Sequence, residues 1–200
     1  MNYPQEIQSL IDEFSQFPGI GPKTAQRFVF YLLRNFSKAE NLVHYLKEIK
    51  KIRPCLICHN FSSQKICQIC QDKKRDHSLI TIVAEPQDLM AIEKTNNYRG
   101  VYHILGGLID SSKEKTAERL KIPHLIQRLK KQEIKEIIFA LNSTIEGEGT
   151  VLYLTNLIKK EPLINHIKLS KIARGLPLGG EIEYADEITL VEALKGRKTI

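Results

Sequence analysis

All four cysteines of this 200-residue chain fall within sixteen consecutive positions, at Cys55, Cys58, Cys67 and Cys70 of the stretch RPCLICHNFSSQKICQIC. Two Cys-x2-Cys knuckles can offer four thiolates to a single tetrahedral Zn2+, with sulfurs about 2.3 Å from the metal. The eight-residue spacer is shorter than the ~15–20 residues usual in a zinc ribbon. It contains HNFSSQ, which is polar and turn-prone, so the chain can double back. A redox site needs one such motif, not two, and a disulfide framework needs an oxidising compartment. One structural zinc ion is therefore expected. His59 and His77 lie nearby, but four cysteines already fill the shell, and both histidines are expected to be exposed bystanders.

A second stretch suited to chemistry is FPGIGPKTAQR, residues 17–27. Gly19 and Gly21 flank Ile20, with Pro18 and Pro22 outside them, in the form of a helix-hairpin-helix. The glycines permit unusual backbone angles and close approach, and Pro22 suits the first turn of a helix. Unsatisfied N–H groups at that helix start, together with its dipole, can bind a phosphate oxygen. Lys23 adds a cation, and Arg27 falls one turn later on the same face. Such contacts grip the phosphodiester backbone and read no base sequence. The competing reading is a tight helix–helix turn with two solvated cations. Phe30 and Tyr31 offer base stacking or, at helical spacing, core packing.

Around these motifs the hydrophobic period changes along the chain. Ile7, Leu10, Ile11 and Phe14, then Ala25, Phe28, Val29, Leu32 and Leu33, follow helical spacing, and a third helix is expected over about 39–51. A basic segment, DKKRDHS, occupies 72–78. From Leu79 onward, LITIVA, VYHIL, EIIFAL and IKLSKI are short, β-branched and apolar, as buried parallel strands should be. Helical patterns at about 86–95, 122–132 and 149–160 alternate with them. The expected fold class is α plus α/β, with a helical unit at 1–52, a four-cysteine zinc finger at 53–78, a doubly wound parallel sheet at 79–172 and a C-terminal segment at 173–200. The finger lies at the junction and is expected to fix the placement of the hairpin. With 42% hydrophobic and 26% charged residues the composition is that of an ordinary globular protein.

The net charge of +7 is uneven: residues 1–78 hold 12 Lys/Arg against 7 Asp/Glu, and residues 79–200 hold 18 against 16. A basic N-terminal part suggests an anionic partner, nucleic acid first. MNYPQEIQSLIDEF lacks the basic start of a secretory signal. No apolar run approaches the ~18–20 residues needed to cross a bilayer. A cytoplasmic protein without membrane attachment is expected, which agrees with reduced, metal-bound cysteines. No GxxxxGK[ST] phosphate cradle occurs, so ATP hydrolysis is not expected.

The PGIGPKTAQR hairpin, the cysteine clip, NSTIEGEGT and GLPLGGEIEYADEITL follow one another as in the RecR family of bacterial recombination mediators. The chain resembles that family along essentially its whole length. The resemblance implies that the α/β unit is a Toprim domain, a fold shared with topoisomerases and primases. Toprim enzymes hold Mg2+ with a Glu after the first strand and an Asp-x-Asp after a later one. Here the first position is Ala84, followed by Glu85, and the second reads Asn142-Ser143-Thr144. Those neutral groups lack the hard anionic oxygens that Mg2+ prefers, so a non-enzymatic binding scaffold is expected. Asp88, Glu146 and Glu148 remain near strand carboxyl ends. Together they form a patch that docks a basic partner, which the resemblance implies is RecO, or Glu146 and Glu148 simply complement the dipole of the helix at 149–160. The C-terminal segment resembles a Walker-B-like element, implied to make subunit contacts.

The resemblance further implies a tetrameric ring acting with RecO and RecF on gapped DNA, at single-strand/double-strand junctions near the nucleoid, to help RecA loading. Two other readings stand beside it: a Mg2+-dependent Toprim nuclease or primase, and a zinc-containing RNA-binding module.

Overall fold

In a computed structural model that describes residues 3–110, 112, 116–197 and 199, the chain divides at Ile52 into two compact units. The first is helical: α1 (Gln5–Ser15), α2 (Pro22–Arg34) and α3 (Phe36–Ile49). Its core is small. Ile11, Ala25 and Val29 are buried, with Ile7, Phe14 and Ile20 packed against them. Ile20 therefore drives its side chain inward while the glycines on either side remain exposed. α3 begins three residues earlier than its apolar spacing predicts, because Asn35 alone separates it from α2. Phe30 is half-buried and packs edge-on against Tyr3, whereas Tyr31 is exposed. Of the two aromatic residues, only Phe30 joins the packing.

The second unit opens with a short hairpin of β1 (Arg53–Pro54) and β2 (Phe61–Ser62) and one helical turn, α4 (Gln68–Gln71). Then β3 (Asp76–Val83), α5 (Pro86–Glu93), β4 (Gly100–Ile104), α6 (Thr116–Arg119), α7 (Ile122–Lys131), β5 (Glu136–Ala140), α8 (Ile145–Lys160) and β6 (Lys168–Lys171) build the expected α/β layer. The four strands are parallel in the order β4-β3-β5-β6. Strand alternation divides the apolar residues between the two faces. Ile80, Ile82, Val101, Ile137 and Phe139 meet Leu125 and Leu129 of α7 and Leu154 and Ile158 of α8. Val83, Tyr102, Ile104 and Ala140 meet Leu89 of α5, with Ile69 of α4 beside them.

The chain reverses direction across the sheet between β3 and β5. Their carboxyl ends therefore form the crevice where α/β folds bind ligands.

The basic segment is less free than its charge suggests. Arg75 clamps both carboxylate oxygens of Glu93 at 2.9 and 2.5 Å, and Glu93 also accepts a hydrogen bond from the Tyr102 hydroxyl at 2.6 Å. This network ties the end of α5 to β4. After β6, α9 (Glu187–Lys195) is capped by Asp186, which accepts from the Thr189 N–H at 2.9 Å, and it has no buried residue.

α8 starts at Ile145, four residues before the predicted 149. Thr144 caps it by accepting from the Gly147 N–H at 3.2 Å. Glycines in EGEG weaken the helical signal, yet Gly147 is required: a Cβ there would sit 1.9 Å from the Asn142 carbonyl oxygen. Gly149, two residues further on, has open space around it. Gly147→Ala is expected to destabilise the domain by about 1–3 kcal/mol through this backbone clash. Gly149→Ala is expected to stabilise it by roughly 0.5–1 kcal/mol through helix propensity. Urea unfolding of the two variants would check the opposite signs.

Candidate zinc centre and nucleic-acid interface

The β1–β2 hairpin is how the short spacer doubles back. Pairing of Arg53 with Ser62 and Pro54 with Phe61 returns the chain past the first knuckle. Leu56 then donates to the Lys65 carbonyl at 3.0 Å, and Cys55 to the Asn60 carbonyl at 2.7 Å. His59 closes the turn by donating to the Cys55 carbonyl at 3.0 Å, in the left-handed conformation (φ 64°). Cys67 caps α4, and Cys70 lies inside it.

All four thiols are buried and unbridged, and their sulfurs lie within 4.8 Å of one another. A tetrahedral site with Zn–S bonds of ~2.3 Å places sulfurs about 3.8 Å apart. The Cys58 and Cys67 sulfurs are 3.5 Å apart, far beyond a disulfide bond. Cys55 accepts from the N–H groups of Ile57 and Cys67 at 3.4 and 3.3 Å, which suits a thiolate.

Protons alone do not satisfy this cluster. Hydrogen bonds from Cys58 and Cys70 draw the Cys67 thiol well down, while hydrogen bonding within the cluster and burial push Cys58 and Cys70 up. A divalent cation relieves that conflict, and the donor set fits zinc.

The clip is built onto the edge of the sheet. β4 is an outer strand, yet all five of its residues are buried. Its outward-pointing groups have partners: the Ile104 N–H donates to the Cys58 carbonyl at 2.9 Å, and the Tyr102 carbonyl accepts from Arg128 Nη1 of α7 at 2.6 Å. Ile69 packs on one face of the strand. On the other, His59 meets His103, with ring centroids 5.3 Å apart, and also His124, at 5.0 Å.

His59 is therefore half-buried rather than the exposed bystander its sequence position suggests, and its Nε2 atom is buried without a partner among the described residues. The reason is the left-handed turn, which aims the ring at the strand and away from solvent. His77 is exposed as expected. His103 is fully buried, and burial pushes its pKa down to about 3, so it is neutral. His103, His124 and Arg128 were not singled out in the sequence. One signal was present: Arg128 shares the buried face of α7 with Ile122, Leu125 and Leu129, where a cation is out of place.

In the helical unit, Gly19 adopts φ 79° and Gly21 caps α2 in an extended conformation, with Pro22 opening the helix. Ile20 donates to the Phe17 carbonyl at 3.0 Å, and the Gly21 carbonyl accepts from Thr24 and Ala25, both at 3.0 Å. The N–H groups of Gly19, Gly21 and Lys23 have no acceptor among the described residues. Lys23 and Arg27 are exposed, and neither forms an ion pair with a described residue. Three open donors and two unpaired cations thus share one loop and the first turns of the following helix. Helix starts bind phosphate with this arrangement.

The remaining acids sit at the switch crevice but are already engaged in part. Ala84 follows β3, and Glu85 caps α5 in a reciprocal pair with Asp88, whose Oδ2 accepts from the Glu85 N–H at 2.9 Å. Glu146 and Glu148 lie in the first turn of α8, favourable to its dipole. Glu148 pairs with Lys171 of β6 at 2.5 Å and with Arg174, whereas Glu146 is exposed with no side-chain partner among the described residues. Among the described residues, the only group of three or more potential metal ligands drawn together is the cysteine set.

Comparison with known proteins bears on both motifs. Models of the RecR helix-hairpin-helix, the RecR zinc finger domain of four cysteines, the Toprim domain and the RecR C-terminal region match residues 7–50, 52–72, 78–173 and 175–198. A protein of Bifidobacterium adolescentis named Recombination protein RecR is 47% identical over 200 residues, covering 99% of this chain and 98% of its own. One of the same name from Desulfitobacterium hafniense is 44% identical over 201 residues, covering 100% and 98%. The cysteine cluster accordingly holds one structural zinc.

Cys67→Ser is expected to reduce zinc from one ion per chain to a small fraction, measured by native mass spectrometry. Zinc chelation from the wild type should speed exchange of the Ile104 amide, which depends on the Cys58 carbonyl, far more than that of Ile82 in the sheet interior.

Proposed function

The chain belongs to the RecR family, whose members serve DNA recombination and repair, and from that premise we propose that it is a non-enzymatic mediator that grips DNA through its hairpin. The reading is that gapped DNA, with its single-strand/double-strand junctions, is bound by phosphate contacts without sequence preference. Gly19, Gly21 and Lys23 supply backbone donors, and the side chains of Lys23 and Arg27 supply charge. The observation that carries this is the set of three unpartnered N–H groups beside two unpaired cations on one exposed turn. The other parts divide the remaining work: residues 53–78 as the zinc finger, 79–172 as a binding scaffold and 173–200 as a contact segment between subunits.

The family likeness further supports action with RecO and RecF in loading RecA, in the cytoplasm near the nucleoid. It also supports assembly into a tetrameric ring. A ring suits weak individual hairpins, because several on one body raise the effective concentration for each further phosphate contact. No helix among the described residues is long and apolar enough to cross a membrane.

Asp88, Glu146 and Glu148 are proposed as the edge that receives a basic partner such as RecO. Glu146 is the freest of the three. Loss of the Mg2+-binding pattern at Ala84 and Asn142-Ser143-Thr144 supports scaffold over nuclease or primase, because neutral side chains bind a hard dication poorly.

The test is DNA binding by wild type and by Lys23→Ala/Arg27→Ala at several salt concentrations, with zinc content and oligomeric state held as controls. The double variant is expected to bind at least about tenfold more weakly, with the salt slope reduced by roughly 1.4–1.8 per hairpin engaged. Undiminished binding by a folded, zinc-replete variant would overturn the hairpin as the DNA site. Preference for structured RNA over gapped duplex DNA would favour the RNA-binding reading.

A further inference from the structure

Among the described residues, Arg128 is the only Lys or Arg that is buried, with 8% of its surface exposed. Its hydrogen bonds go to neutral acceptors: Nη1 to the Tyr102 carbonyl at 2.6 Å and Nε to Gln132 Oε1 at 2.9 Å. No carboxylate among the described residues pairs with it, although buried cations are ordinarily paired with anions. The surrounding histidines supply no negative charge, since an imidazole is either neutral or cationic.

A candidate anion lies on the same strand edge. Arg128 lines a cleft with Leu56, Ile57 and His124, which brings the start of the first knuckle against α7. Its acceptor Tyr102 lies two residues from Ile104, whose N–H holds the Cys58 carbonyl on the same strand edge. Burial alone pulls the guanidinium toward its neutral form, and charge on Cys70, Cys58, Cys55 and Cys67 opposes that pull. Four thiolates around one Zn2+ carry a net charge of 2−, of which the N–H groups donating to Cys55 offset only a part.

We propose that Arg128 is the counter-ion of the zinc–tetrathiolate centre, a positioning residue that α7 contributes from far beyond the last ligand in sequence. Partners outside the ligand shell that stabilise the ligating form typically matter by about 10–100-fold in metal affinity. The device is reciprocal. Zinc loss reduces the negative charge that the ligand set holds beside Arg128, so metal release also loosens the contact between α7 and β4.

Zinc release from the purified, zinc-loaded chain under a fixed excess of EDTA, read with a colorimetric zinc dye, tests this. Arg128→Met removes the charge at similar length and is expected to release zinc at least about tenfold faster. Arg128→Lys keeps the charge and should stay close to wild type. Melting temperatures with and without zinc separate charge compensation from packing. Compensation predicts that Arg128→Met lowers the melting temperature of the zinc form more than that of the chelated form, whereas packing alone predicts equal losses.

Gln132→Ala leaves the cation and removes the Nε acceptor, so it remains informative if Arg128→Met does not fold. Its release should match wild type. Unchanged release from Arg128→Met overturns the proposal. So does release from Arg128→Lys or Gln132→Ala that is accelerated as much as expected for Arg128→Met.

Discussion

A parallel sheet of four strands has two edges, and here one of them is β4, whose five residues are all buried. A buried edge must find partners for backbone groups that water can no longer reach. The Ile104 N–H takes the Cys58 carbonyl, and the Tyr102 carbonyl takes Arg128. The cysteine clip is thus more than a small independent finger placed ahead of a domain. It closes the edge of the sheet, and the metal holds the closing segment in shape. Ile69 and His59 grip opposite faces of the same strand, so the clip straddles it.

Much of this was legible in the chain. The cysteine spacing announced the metal, and the four β-branched runs announced the strands with only small boundary errors. Helix starts were harder to place. Gly147 and Gly149 depress the local helical signal, but Gly147 is there because α8 begins against the Asn142 carbonyl, a contact made only in three dimensions. Likewise, nothing in HNFSSQ reveals that His59 turns inward, since that depends on a left-handed backbone angle and on where β4 runs. Arg128 shows the opposite situation. Its position on the apolar face of α7 was readable, but its partner lay in a segment far away in sequence.

The two units spend their polar groups differently. In the α/β unit the charges near the switch crevice and the strand edge are largely committed: Arg75 to Glu93, Glu148 to Lys171 and Arg174, Asp88 to the start of α5. Such commitments stiffen a scaffold. The hairpin of the helical unit keeps its donors open and its cations unpaired among the described residues, over a core of three buried side chains. The contrast is between an internally satisfied body and an exposed turn with open donors.

The open turn also reports on its own state. Amides at Gly19, Gly21 and Lys23 have no acceptor among the described residues, so in the free protein they exchange with solvent without waiting for any part of the fold to open. A phosphate oxygen seated on the turn would become their first acceptor. The same three hydrogens that make the contact would then slow in proportion to its occupancy, and a spectroscopic label placed there would be redundant.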